Sequence, residues 1–415
     1  MKFIHCADVH LDTPLQGLAQ YEGAPVSEIR NATRRSFEKV VDACIAEQID
    51  FLVIAGDLYD IGLKSFETAL FFNKQMSRLG KIGISAYLVH GNHDAASKLI
   101  KHVRPPKNVH VFRADKPQTF RNDDLRVALH GQSFDSPEVT SDLAINYPAP
   151  LPGYFNIGVL HTNLSAFSEH ANYAPCSLET LKSKGYHYWA LGHVHNRQVL
   201  CTDPFIVFPG NIQGRHGKEQ GDKSCELVTV TDAGLISVRP ISTCVLPWAE
   251  IALDVSECND AEQVYDKLRL RLRTALALNP EGITALRLLI FGTTNAHTDL
   301  NRDPESTRAE VISVANECGN GAFWVERTQI STVPKLDRGA LLRRNDPIGE
   351  VLRTIDELRQ DPSKLSSLQL IADLQARLPK DEGTESLSLD ATILKAALEE
   401  AEGLLLARLA SVETV

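Results

Sequence analysis

Residues able to bind metal occur in five groups along the first half of the chain. They are Asp8 and His10 in CADVH, Asp57 in GDLYD, Asn92, His93 and Asp94 in GNHD, His161 in HTN, and His193 and His195 in GHVH. Carboxylate, imidazole and amide oxygen together suit divalent manganese, iron or zinc. One carboxylate shared by two ions about 3.5–4 Å apart, with neutral imidazoles filling the rest, is a centre that activates water and neutralises phosphate oxygens. Such a set carries little excess negative charge, so an anionic ester can enter. A lone D-x-H or GD carries no information. Five groups in one order, each after an apolar run, are specific.

The elements that must position these groups are legible beside them. KFIHCADVH, FLVIAGDLYD, AYLVHGNHD, FNIGVLHTN and YWALGHVH each read as a buried strand ending in a ligand cluster. SFEKVVDACIAEQ and TALFFNKQMSRLG carry the apolar period of amphipathic helices. Alternating strands and helices predict an α/β domain with a largely parallel core, in which ligands bind beyond the carboxyl ends of the strands. On the first strand, Cys6 should face away from His5 and Ala7.

Three segments are expected: 1–246, 247–345 and 346–415. The first closes with strands and Gly-rich loops, FIVFPGNIQGRHGKEQGDKSCELV among them. The second reads as a small α+β domain in which Trp324 is core. The third is helical over 346–378 and 390–411, with Ile348, Leu352, Ile355 and Leu358, then Ile393, Leu394, Leu398, Leu404 and Leu405, at core spacing. A polar stretch separates these two helices.

Of the net charge of −10, −9 falls in residues 247–415 and only −1 in residues 1–246. The acidity therefore does not argue against a nucleic-acid partner for the first segment, where bound metals would add positive charge. Eight cysteines without a C-x-x-C pair predict free thiols rather than a zinc ribbon or disulfide framework. No apolar run approaches the ~20 residues of a membrane span, and MKFIHCADVHLD does not read as a secretory signal. A cytoplasmic location is expected.

The five groups resemble the calcineurin-like metallophosphoesterase superfamily, and within it the SbcD-type DNA repair exonucleases and their bacterial YhaO-like branch. The PGN-x-QGRH segment supports that branch. The resemblance implies a β-sandwich flanked by helices, with a small α+β capping domain and C-terminal helices. It further implies that Asp8, His10 and His195 bind one metal, that Asn92, His161 and His193 bind the other, and that Asp57 bridges. His93 would be the general acid and Asp94 would orient its ring. Archaeal and eukaryotic relatives carry a histidine three residues after the GD motif. Here that position is Asp60, and the histidine's role is not carried over.

The activity implied is a two-metal-dependent DNA nuclease acting in DNA repair, with Mn2+ as the first choice of metal. The alternative is action on a phosphoprotein or a small-molecule phosphodiester, since the metal motifs are common to all of these. Implied partners are DNA, an SMC-like coiled-coil ATPase of the SbcC or YhaN type docking on the C-terminal helices, and a second copy of the chain. Arg215, His216 and Lys218, in a Gly-rich loop, suit phosphate contact, and Arg34 and Arg35 are further candidates. His5, His90, His110, His130, His187 and His297 fit no ligand pattern and are expected to be structural or surface histidines.

Overall fold

A computed structural model describes residues 1–13, 26–60, 66–96, 103–164, 174–278, 282–335, 338–361, 364 and 391–412. The stretch expected to link the last two helices, and the end of the first of them, lie outside the described residues.

Two six-stranded sheets form the first part of the chain. One holds β1 (Lys2–Cys6), β2 (Phe51–Ala55), β3 (Ser85–Val89) and β4 (Val109–Val111) in parallel. The other holds β5 (Gln118–Asn122), β6 (Val127–Gly131), β7 (Phe155–His161), β8 (Tyr188–Gly192), β9 (Gln198–Thr202) and β10 (Phe205–Phe208), with β6, β7, β8 and β10 parallel. β5 and β9 close its two edges antiparallel. β11 (Ser224–Val230) and β12 (Ile236–Ser242) complete the first sheet, antiparallel beside β1.

The alternation of strand side chains decides how these sheets pack. Phe3, Phe51, Val53, Tyr87 and Val89 point to one face of the first sheet, and Val127, Leu129, Ile157, Val159, Tyr188 and Val207 to one face of the second, and together they form a single apolar layer. The opposite face of the first sheet presents Ile4, Cys6, Leu52, Ile54 and Leu88. Against it pack α1 (Val26–Ala46), through Phe37, Val40, Val41 and Cys44, and α2 (Phe66–Lys81), through Ala69, Phe72, Met76 and Leu79. Each large side chain so buried contributes about 1.5–3 kcal/mol. Cys6 does face away from Ala7. The outer face of the second sheet buries Trp189, Leu191, Ile206 and Phe208 with Leu181 of a short helix. Two further short helices of this region are α3 (Asn92–Ala96) and α4 (Leu178–Ser183), the latter the one that carries Leu181.

The remaining elements are β13 (Trp248–Asp254), α5 (Ala261–Leu278), β14 (Thr284–Thr294), α6 (His297–Arg302), α7 (Pro304–Gly319), β15 (Phe323–Pro334), α8 (Arg338–Leu342), α9 (Pro347–Gln360) and α10 (Ala391–Val412). β13, β14 and β15 form a three-stranded sheet. The chain divides into two compact units. One comprises Met1–Glu250, Asn279–Arg287 and Gly321–Glu326, and the other Ile251–Leu278, Leu288–Asn320 and Arg327–Val415. Trp324 is core of the first unit, packed with Trp248, Ile29 and Ala32. Within the second unit, α9 and α10 pack on each other through Ile355, Leu358, Leu394 and Leu398. Arg338 and Arg359 both pair there with Glu402, while Ile393 and Leu405 stay exposed. All eight cysteines are free, and five of them are buried.

Candidate metal centre

Every ligand-type group stands at the carboxyl end of a parallel strand. Asp8 and His10 follow β1, Asp57 follows β2, and Asn92 opens α3 just after β3. His161 ends β7, and His193 and His195 follow β8. The groups therefore come from both sheets and meet where the strand ends of the two converge. Asp8, His10, Asp57 and His193 have φ of +51°, +47°, +52° and +104°. Left-handed backbone at residues other than glycine costs roughly 1–3 kcal/mol each, and Asp and His tolerate it better than most. Backbone bonds hold the turns: Asp8 N–H donates to Gly56 O and His10 N–H to Asp57 O, both at 3.0 Å.

Space at the centre is created by missing side chains. A Cβ on Gly91 would lie 2.3 Å from Asp57 Oδ1, and one on Gly192 would lie 1.9 Å from the carbonyl oxygen of Ala55. Only glycine lets these strands approach so closely.

The ligand atoms face inward. His10 Nε2 and His195 Nε2 are 3.4 Å apart, and Asp8 Oδ1 is 3.8 Å from His195 Nε2. His161 Nε2 lies 3.1 Å from Asn92 Oδ1. Asp57 Oδ2 stands between the two sets, 3.8 Å from His10 Nε2 and 3.5 Å from His161 Nε2. Transition-metal bonds to imidazole run about 2.1 Å, which puts ligands of one ion roughly 3–4 Å apart. The sets Asp8, His10, His195 and Asp8, Asp57, His161 are each compact enough to hold an ion.

Tautomers agree with that role. His161 Nδ1 donates to the carbonyl of Ala55 at 2.9 Å and His195 Nδ1 donates to Glu219 Oε1 at 2.6 Å, so on each ring it is Nε2 that faces the centre. His193 N–H donates to both oxygens of Asp8, at 3.1 and 2.9 Å. Burial works against charge on His161, yet the Asp57 carboxylate outweighs it and pushes His161 up to about 9. Burial also works to raise Asp57, and His161 holds it well below the usual carboxylate range. The buried pocket thus favours a positive charge between these two residues, which a divalent cation would provide. These donors fit two divalent ions.

His93 corrects one expectation. Asp94 does not orient its ring; the partner is Asp60, whose Oδ1 is 2.7 Å from His93 Nδ1. Consecutive helical residues face different ways, and Asp94 turns inward to accept from the backbone N–H groups of Leu58, Tyr59 and Gly91 at 2.9–3.1 Å. Burial and the Asp57 charge push Asp94 up to about 7, against the three N–H groups. For His93, burial lowers the pKa but the Asp60 bond and the Asp57 charge win, and the net shift is upward. His93 Nε2 lies 3.9 Å from Asp57 Oδ2, with about a quarter of the side chain open to solvent.

The Gly-rich loop divides. Arg215 reaches Asp60 at 3.6 Å and Glu219 at 3.4 Å, so its guanidinium joins the carboxylates that hold His93 and His195. His216 and Lys218 are exposed. Arg34 is taken up by Asp12 and lies over Phe71, and Arg35 is exposed. Sequence reading missed Glu219 as a partner. It follows no strand, and only the histidine it holds, 24 residues earlier, marks its use.

The family model of calcineurin-like phosphoesterases matches residues 1–197, and that of the middle domain of metallophosphoesterase YhaO matches residues 248–333. The chain is 36% identical over 322 residues to a Bacillus subtilis protein described as an uncharacterized metallophosphoesterase YhaO, covering 76% of this chain and 78% of that one. It is 30% identical over 307 residues to a Staphylococcus saprophyticus protein described as a component of the nuclease SbcCD, covering 65% and 75%. It is 24% identical over 279 residues to the DNA double-strand break repair protein Mre11 of Saccharolobus solfataricus, covering 63% and 70%. With a relative at 36% identity spanning most of both chains, and strand-end ligands gathered into one buried centre, this chain belongs to the calcineurin-like metallophosphoesterases, on the branch of YhaO.

Proposed function

We propose that the chain is a two-metal phosphodiesterase that cleaves DNA in repair. The observation that carries the two-metal part is Asp57 Oδ2, set between His10 Nε2 and His161 Nε2 at 3.8 and 3.5 Å. Asp8, His10 and His195 would hold one ion, Asn92, His161 and His193 the other, and Asp57 would serve both. The mixed set of carboxylates, imidazoles and an amide oxygen suits Mn2+, with iron or zinc compatible. When bound, the ions supply charge neutralisation on the phosphate and a water of lowered pKa. His93 holds a proton on Nε2 and delivers it to the leaving oxygen. Asp60 anchors the opposite nitrogen and favours the protonated ring. Asp94 shapes the turn behind them by binding backbone.

The substrate class rests on the relatives described as a nuclease component and as a DNA break repair protein. The former is by its description one part of a larger nuclease. An SMC-like coiled-coil ATPase of the SbcC or YhaN type, bound through α9 and α10, is the partner proposed here, and self-association of the first unit goes with it.

The test is cleavage of end-labelled linear duplex and covalently closed single-stranded circles with Mn2+, beside an aryl phosphodiester. Wild type should cut DNA. His93→Ala should bind metal as before and lose about 10²–10⁴-fold in turnover. Asp60→Asn should lose less and show its alkaline limb at lower pH, because the charge that keeps His93 protonated is gone. Turnover of the aryl ester with both DNAs untouched, in the presence of the ATPase, would overturn the DNA assignment.

A further inference from the structure

We propose that Glu219 is a positioning residue for the metal centre, holding His195 with Nε2 turned toward the ion from a loop outside the strands that carry the ligands. This deepens the two-metal reading and rests on it. Glu219 lies in a span, residues 198–247, that neither matched family model covers. Its side chain is 8% exposed, and both carboxylate oxygens are engaged. Oε1 accepts from His195 Nδ1 at 2.6 Å, and Oε2 accepts from the Asn211 amide and the Arg215 backbone N–H, each at 2.8 Å.

A carboxylate has no proton to give, so His195 Nδ1 is the donor and Nε2 is the nitrogen left to face the ion. That nitrogen faces His10 Nε2 at 3.4 Å and Asp8 Oδ1 at 3.8 Å. Buried, charge-assisted bonds of this kind orient a ligand ring and raise its basicity. The loop behind Glu219 is itself held. Gln213 Oε1 accepts from the backbone N–H groups of Val245 and Leu246 and from the Ser36 hydroxyl, at 3.0–3.2 Å. The Trp248 indole N–H donates to the carbonyl of Gly214 at 3.0 Å. A carboxylate on so fixed a loop sets the angle of the histidine rather than following it.

The test is Mn2+ binding to the full chain by calorimetry, for wild type, Glu219→Ala, Glu219→Gln, His195→Ala and the Glu219→Ala/His195→Ala double variant. Thermal unfolding of the metal-free proteins is recorded alongside. Wild type should take two ions. Glu219→Ala should weaken one of them about 10–100-fold and leave the other unchanged. Glu219→Gln keeps an acceptor without the charge and should lose less, about threefold to tenfold. The double variant should bind no more weakly than His195→Ala alone, since Glu219 acts through that ring.

Wild-type affinities in Glu219→Ala would overturn the proposal while leaving the two-metal reading intact, as would a further tenfold loss in the double variant. Should Glu219→Ala fail to fold, unchanged affinity for both ions in Glu219→Gln would overturn it equally. Fewer than two ions in wild type, or both sites intact in His195→Ala, would sink the two-metal reading and this proposal with it.

Discussion

Two histidines near the strand ends shift in opposite directions because of what surrounds them. A carboxylate at 2.7 Å raises the pKa of His93, whereas His5, three residues before Asp8, is buried without one. Its Nε2–H donates to the Leu191 carbonyl at 3.2 Å, and its Nδ1 accepts from the Tyr188 hydroxyl at 3.0 Å, tying β1 to β8. Burial, opposed by the carbonyl bond, pushes His5 down to about 3. The unfolded chain binds this proton near pH 6.5 and the folded chain does not. Stability from His5 is therefore whole above pH 6.5 and drains away as pH falls toward 3, on the order of 5 kcal/mol in all. His5→Gln keeps a donor and an acceptor but does not titrate. Urea unfolding of both metal-free proteins at pH 7, 5.5 and 4.5 should show the variant gaining on wild type at each step down. A constant difference would mean that His5 is not held neutral.

Among elements, the strand ends matter more than the strands. The strands that lead into the centre, β1, β2, β3, β7 and β8, are buried on both faces, and the chemistry begins where the pairing stops and the backbone turns left-handed at Asp8, Asp57 and His193. β2 of one sheet and β8 of the other meet there through glycine. A methyl at Gly192 would sit 1.9 Å from Ala55 O and 2.9 Å from His161 Nδ1. Gly192→Ala must push the two sheets apart at this edge and tilt the His161 ring. The expected result is a loss of about 1–3 kcal/mol in stability, read as a lowered Tm of the metal-free protein, together with weakened binding of Mn2+ by calorimetry. A variant with wild-type Tm and metal affinity would show that the close approach is dispensable.

On the scale of the whole molecule, the ligands proposed for the centre all lie within residues 8–195, in the first unit. α8, α9 and α10 lie in the second unit, where Arg338 and Arg359 converge on Glu402 and the apolar stripes of α9 and α10 close on each other. Among the described residues no helix is long and apolar enough to cross a membrane. A chain ending at Arg344 should hydrolyse the aryl phosphodiester with a kcat within about twofold of the full chain while failing to co-purify with a coiled-coil ATPase. Co-purification of the shortened chain would place docking elsewhere.

The residues of ligand type, their strand-end positions and the α/β character were legible in the sequence, because a buried strand announces itself by apolar content and a candidate metal site by residue type. The two-sheet sandwich came from the family resemblance. Partnerships between segments were not. That Asp60 rather than Asp94 holds His93, and that Glu219 holds His195, depends on which way a side chain leaves its turn and on a loop folding back across the strand ends. Neither leaves a periodic trace. Arg215, legible as a cation for phosphate, proved to be ringed by carboxylates for the same reason. Sequence determined which atoms could bind metal; only the tertiary structure decided which carboxylates hold them in place, because a hydrogen bond is made by distance and angle and not by spacing along a chain.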